Sequence, residues 1–370
     1  MSAPTVEAAP AVEPILSPAP AGPTLRRRSA RRLLALLPLA LVALLPIPFG
    51  NFGFFLGAFA LVYAMIGLSV VVVSGFAGLI SLMPYSFAGI GAVITGLAVA
   101  SWGWPFWLAI PLAGLATVPI AMLVGIASVR LKGLYLAMAT LTLANALGET
   151  LFRSETLTGG VSGWVVPRPA LGPIDLASDA TFYVVCLVVV GALLWMVEGL
   201  RTSRVGRAMT AVRDNETEAR ALGINSYKTK LMALVIGGIL AGIGGAFLAG
   251  LLATTTGTPF RSPVAEINSF LLVTTVAIGG LDRPLGAFVG AIALVIQQQV
   301  FGGAVFFTAF LSIYTAVVLI LILRFRPGGI VEIGRLQVEL IKRRPVLGSV
   351  VAATLLAVNV GLAVLFVKLS

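Results

Sequence analysis

Apolar runs of about 20 residues, separated by short polar connections, recur along most of the chain. Eleven runs have this size: 33–49, 53–73, 79–100, 105–128, 133–152, 181–200, 229–252, 264–281, 284–302, 305–323 and 346–367. A hydrocarbon core of about 30 Å takes about 20 helical residues to cross, so the pattern predicts an all-α, polytopic helical membrane protein with 10 to 11 transmembrane helices. From Leu33 to Val129 there is no Asp, Glu, Lys or Arg; a water-facing surface of that length needs charge, and a lipid-facing one does not. Two places interrupt the runs: Pro84 with its glycine-rich flanks over 75–91, and Gly279-Gly280 with Pro284. They mark broken or re-entrant helices, which survive in a membrane only where protein or a water path covers the freed backbone groups.

The longest polar interruption between spans is 201–230. Within it Val205, Ala208, Met209 and Val212 follow i, i+3, i+4, i+7, giving a short helix with one apolar face and arginines on the others. Asp214 is the expected N-cap of a second short helix, with Glu216 and Glu218 in its first turn and Gly223 as its C′ residue. The prediction is a two-helix hairpin between membrane spans. It could hold anionic lipid through its arginines; its ordered starts and stops favour a docking surface for a soluble partner.

Charge gives the hairpin a side. Hydrophobic residues make up 59% of 370 and charged residues 11%, against about 25% charged in an average soluble domain. The net charge of +11 sits in short blocks between apolar runs, as orientation signals do, and does not call for nucleic acid. With the N-terminus cytoplasmic, Arg130, Lys132, the 201–230 loop, Arg283, Arg324, Arg326, Arg335 and Lys342-Arg343-Arg344 all fall inside. Only Arg153, Arg168 and Arg261 fall outside. Residues 1–24, rich in Ala and Pro, read as a disordered cytoplasmic tail. The basic run 26–32 before Leu33 has the layout of a signal peptide, but no small-x-small cleavage site follows, so it reads as the start of an uncleaved span. The expected organisation is a transmembrane domain over 25–330, then a cytoplasmic linker and an extra helix over 331–370.

The side chains bound the chemistry. There is no His and one Cys, Cys186, inside an apolar run, so metal sites and acid/base catalysis lack their commonest residue and no internal disulfide can form. No catalytic or metal-binding residue is assigned. No G-x-x-x-x-G-K-[ST] phosphate loop exists, so a transporter built on this chain would use an ion gradient, act as a channel, or borrow an ATPase through the hairpin.

Within the spans, Thr142, Asn145, Glu149 and Arg153 recur at i, i+3, i+7 and i+11, within about 80° on one helix face. Such a stripe is costly against lipid and marks a substrate path by default; Glu149 and Arg153 could equally form an interfacial i,i+4 pair. Ser86, in the interrupted segment after Pro84, is a further path candidate. Gln297, Gln298 and Gln299 cannot share one face. Gly238, Gly242, Ala246 and Gly250 line one face at intervals of four, and Gly286 and Gly290 repeat the pattern; small residues so spaced let helix backbones approach closely.

The run Gly206-Arg207-Ala208-Met209-Thr210-Ala211-Val212-Arg213-Asp214-Asn215-Glu216, continuing through Glu218-Ala219-Arg220-Ala221-Leu222-Gly223-Ile224-Asn225, resembles the cytoplasmic loop of the inner-membrane permeases of branched-chain amino acid ABC importers. The similarity extends to Ser81-Leu82 with Phe87-Ala88-Gly89-Ile90-Gly91-Ala92, to Lys132-Gly133-Leu134-Tyr135-Leu136-Ala137, to Leu157-Thr158-Gly159-Gly160 with Gly163 and Pro167-Arg168-Pro169, and to Gly279-Gly280 with Leu285-Gly286-Ala287. These landmarks keep family order from about 60 to 330. The resemblance implies a multi-pass subunit of the bacterial cytoplasmic membrane that pairs with a sister permease. It also implies two cytoplasmic ABC ATPases, which bind the ATP and Mg that this chain does not, and an extracytoplasmic binding protein that delivers substrate. It places Arg213, Asp214, Asn215, Glu218 and Gly223 in the ATPase-coupling element. The chain departs from many members at Met83-Pro84, where they carry Gly-His, and at Asn145, where they carry an acid. Both departures bear on the substrate, so urea or short amides stand beside branched-chain amino acids. A gradient-driven transporter would need ion-coordinating groups near the midplane, where only Asn145 and scattered Thr occur.

Overall fold

In a computed structural model of the chain, the structure describes residues 50–128, 131, 133–160, 162–168, 170–171, 174–175, 178–261, 264–301 and 320. The expected spans 33–49 and 346–367, the tail 1–24, the segment 331–370 and nearly all of span 305–323 lie outside them, as do the side chains of Gln297, Gln298 and Gln299.

Eleven helices are present among these residues. α1 (Gly50–Val70) runs on into a π turn (Val71–Phe76); α2 (Pro84–Gly96) does the same over Leu97–Ser101. Then follow α3 (Phe106–Ser128), α4 (Leu134–Thr150), the single turn α5 (Glu155–Thr158), α6 (Asp179–Thr202), α7 (Arg204–Asp214), α8 (Glu216–Ala221), α9 (Ser226–Leu252), α10 (Val264–Gly279) and α11 (Pro284–Phe301). Five stretches are long and apolar enough to cross a membrane: Gly50–Phe76, Pro84–Ser101, Phe106–Ile126, Asp179–Thr202 and Ser226–Leu252.

The run expected over 79–100 begins as a helix only at Pro84. Proline has no N–H to contribute to an i→i−4 bond and suits the first helical position, so the preceding 77–83 is left as a non-helical connector. The second expected break is also present: α10 ends at Gly279, and α11 starts at Pro284.

α9 is the axis of the bundle and packs along α1, α2 and α3; α11 packs on α1 and α10, and α6 on α1. Gly238, Gly242 and Gly250 face α3: a Cβ on Gly242 would lie 2.7 Å from the Ala113 carbonyl oxygen, and one on Gly250 2.8 Å from the Phe106 ring. A second small face, which the four-residue interval does not reveal, brings Gly245 against the backbone of Ala88 on α2. Gly286 and Gly290 set α11 directly against the backbone of Gly280 and Thr275.

At one end of the bundle, two short antiparallel ladders and a helical turn form a cap. β1 (Trp164–Val165) pairs with β4 (Thr254–Thr255), and β2 (Ala170–Leu171) with β3 (Ile174–Asp175). Arg168 belongs to this cap. Its guanidinium donates to the Leu251 carbonyl at 3.0 Å, pairs with Asp179 at 2.6 Å and lies over the Phe182 ring, so it satisfies orphan carbonyls at the C-terminus of α9. The α7–α8 hairpin occupies the other end.

Candidate coupling hairpin and membrane path

The hairpin is built from caps. Ser203 Oγ accepts from the Gly206 N–H at 3.2 Å and starts α7, whose Met209 and Val212 are buried against the bundle while Arg204 and Arg207 stay exposed. The corner lies one residue later than the sequence pattern suggests. Asp214 is the last residue of α7, and Asn215 is the N-cap of α8. The asparagine amide, donor and acceptor at once, supplies both halves of a capping arrangement: its Oδ1 accepts from the Thr217 and Glu218 N–H groups, and its Nδ2 donates to Glu218 Oε1 at 2.7 Å. Asp214, an acceptor alone when ionised, takes a 3.2 Å bond from Arg213 Nε instead. Gly223 ends α8 at φ +81°. Its N–H donates to Arg220 O and that of Ile224 to Ala219 O, both at 2.9 Å, the paired bonds of a Schellman ending.

Two ion-pair clusters fasten the hairpin to the bundle. Lys230, buried in the first turns of α9, reaches Glu216 at 3.0 Å, and Arg220 holds the same carboxylate at 2.5 Å. Burial works to raise the Glu216 pKa, but the hydrogen bonds and charges of Lys230 and Arg220 prevail and hold it below the ordinary 4.5. Arg213 makes the other cluster. Its Nη1 donates to Asp282 Oδ1 at 2.7 Å, in the turn between α10 and α11, and also to the carbonyl of Gly75 in the π turn of α1. Much of the hairpin remains open to solvent. Leu222, just before Gly223, is 80% exposed, an apolar side chain held in water by a rigid turn.

The membrane-path residues do not all meet. Thr142 and Glu149 are exposed on α4 and Asn145 is half-buried, so these three share a face turned away from the other described residues; Leu136, Ala137, Thr140, Ala144 and Gly148 form the buried face. Glu149 and Arg153 pair at 3.0 Å with at least half of each side chain exposed. An ion pair so open to solvent contributes at most about 1 kcal/mol to stability. Ser86 sits apart from that face. It lies in the first turn of α2, fully enclosed, and its hydroxyl has no hydrogen-bond partner among the described residues. Next to it, Tyr85 accepts a 3.1 Å bond from Asn268 of α10.

Sequence reasoning did not single out Asp282, Gly75, Lys230, Leu222 or Arg168 as site residues. A charged residue in the Gly279–Pro284 interruption and an apolar residue at a helix C-terminus were signals for two of them. The others pair across the fold and leave no local pattern.

A family model described as the permease component of branched-chain amino acid transport systems matches residues 54–325. The high-affinity branched-chain amino acid transport system permease protein LivM of Escherichia coli is 27% identical over 304 residues, covering 76% of this chain and 70% of its own. LivH of Salmonella typhimurium is 25% identical over 75% of this chain and 92% of its own, and BraD of Pseudomonas aeruginosa 26% over 75% and 93%. No solved structure matches. With its bundle of apolar helices and a family match over most of its length, the chain belongs to the branched-chain amino acid transport permease family and is a multi-pass protein of the cytoplasmic membrane.

Proposed function

We propose that this permease is one membrane-spanning half of an ATP-driven importer of branched-chain amino acids. A sister permease completes the path, an extracytoplasmic binding protein delivers the substrate, and two cytoplasmic ATPases, which bind the ATP and Mg, dock on the hairpins. The observation that carries the reading is the α7–α8 hairpin: capped at both corners, ion-paired to the bundle, and presenting Leu222 to solvent at the end of α8. A rigid element with an exposed apolar residue suits a docking contact, because burying a leucine gives about 1.5–3 kcal/mol and no ordering cost remains to be met. Closure of ATP-bound ATPases would move such an element as a body and bias two packings of the bundle.

The substrate path in this reading runs along the outward face of α4, with Thr142, Asn145 and Glu149 facing the sister permease. Polar groups on a membrane helix are stable toward protein or water and costly toward lipid. The branched-chain substrate rests on the names of the relatives.

Co-expression with a family ATPase pair and binding protein tests the docking role. Leu222→Glu adds a charge where the side chain touches little of its own chain. It should leave the permease folded while abolishing ATPase co-purification and ATP-driven leucine uptake. Retention of both would overturn the assignment.

A further inference from the structure

One of the two clusters that fasten the hairpin centres on Arg213, and from there a continuous line of contacts leads to α4. We propose that Arg213 is a positioning residue that transmits displacement of the hairpin to the path helix through the non-helical connector 77–83; this inference rests on the coupling role proposed above.

The line has three joints. At the first, the Arg213 guanidinium meets three acceptors from three elements: Asp214 at the end of α7, Asp282 in the α10–α11 turn, and the carbonyl of Gly75 at the end of α1. A lysine ammonium could hold one or two of these but lacks the planar fork that spans all three. The residues underneath leave no slack. Gly75 has no side chain, and a Cβ there would run into the Leu281 backbone; Gly78, at φ +67°, lies beneath the Arg213 stem, where a Cβ would come within 2.6 Å of Cγ. The end of α1, the α10–α11 turn and the hairpin are therefore packed backbone to backbone around one guanidinium.

The second joint is the connector itself. Its start is fixed by the Leu79 N–H on Val73 O at 3.0 Å and by Ser74 Oγ on Leu79 O at 2.9 Å. Of its seven residues only Gly78 and Ile80 are exposed; the others are buried. A chain enclosed in a close-packed interior passes on a displacement that a solvated loop would absorb.

At the third joint, the Leu82 N–H donates to Thr140 Oγ1 at 3.2 Å, and that hydroxyl in turn donates to the Ala137 carbonyl at 2.9 Å. Thr140 is fully buried on α4, on the face opposite Thr142. A shift of the connector thus acts on the inner side of the helix whose outer side carries the polar stripe.

The test uses the whole complex in proteoliposomes and reads ATP hydrolysed per leucine transported. Arg213→Lys weakens the first joint, and Thr140→Val, nearly isosteric and far from any ATPase, removes the third. For Thr140→Val, binding-protein-stimulated hydrolysis should persist while uptake falls about tenfold, the size of an ordinary coupling free energy between two sites; Arg213→Lys should lower uptake more than hydrolysis. The ratio therefore rises in both, about tenfold for Thr140→Val. A structural role alone would lower uptake and hydrolysis together and leave the ratio unchanged, and that result overturns the proposal, as does wild-type behaviour in both variants. If Arg213→Lys fails to assemble, Thr140→Val decides. Absence of ATP-driven uptake in the wild-type complex would instead sink the coupling role itself.

Discussion

α9 and α4 belong to the same membrane bundle and differ in what they leave unburied. α9 lies at the centre, surrounded by α1, α2 and α3, and its glycines replace side-chain packing with backbone contact on two faces. α4 lies at the edge, buries small and apolar residues, and turns Thr142, Asn145 and Glu149 outward. In water that arrangement would be ordinary. In lipid it is inverted over the half of α4 that carries Thr142, Asn145 and Glu149, though not over the half that exposes Tyr135 and Met138, and the difference teaches which surfaces the chain covers itself. Around α9 most of the surface has found its partner among the described residues, with Tyr227, Met232 and Leu252 left partly exposed. The outward face of α4 makes physical sense only against water or more protein.

The comparison breaks most sharply by adding volume to each helix in turn. Gly245→Leu drives a side chain into the Ala88 backbone; overpacking costs about 1–3 kcal/mol where side chains can shift, and a backbone cannot shift so easily. The variant should yield no monodisperse permease on size-exclusion chromatography. Thr142→Leu, on the open face, should purify and melt like the wild type.

A smaller effect, confined to transport, is expected on the face of α4 itself. Asn145→Leu and Glu149→Gln should leave folding intact and reduce leucine uptake several-fold, with complex formation as the control. Unchanged uptake in both would move the path elsewhere, to the enclosed Ser86 and Tyr85 region.

The hairpin joins the two helices: Lys230 belongs to α9, and Arg213 leads toward α4. Asn215→Ala removes the α8 N-cap and should destabilise the corner by about 1 kcal/mol, seen as faster amide exchange across 215–221 with exchange in α9 unchanged. Exchange that quickens in α9 to the same degree would mean that hairpin and axis unfold as one unit.

The least effect is a pH dependence of the α9 anchor. Because the pKa of Glu216 is lowered in the folded protein, its contribution is full above 4.5 and is lost as pH falls through the folded value. Protease resistance of the hairpin should hold steady from neutral pH down to about 5 and fall only below that, and Glu216→Gln should abolish the step.

Much of this was legible in the sequence because a membrane helix is specified locally. The apolar runs place α1, α3, α6 and α9 within a few residues, and Pro84 and Pro284 mark where α2 and α11 begin, since each rests on composition and on proline's missing donor. Gly223 was legible for the same reason: an αL ending favours glycine wherever it occurs. The corner was misplaced by one residue because Asp and Asn are nearly equal as caps, and only the reciprocal bond to Glu218 decides between them. Asp282 and Gly75 were not legible. They meet Arg213 across 69 and 138 residues of chain, and no local spacing encodes a partner at that distance. Nor did the polar stripe of α4 announce its direction, because a helix wheel gives a face and not what the face meets.

Cysteine accessibility tests the central claim most directly. With the buried native Cys186 replaced by alanine, a single cysteine is placed at Thr142 on α4 or at Val188, an apolar position 66% exposed on α6, and the assembled transporter is treated in membranes with a charged, membrane-impermeant maleimide. Labelling at 142 that leucine protects against, with none at 188, is the predicted result. Equal silence at both positions would contradict the account, since it would mean that lipid covers the two helices alike.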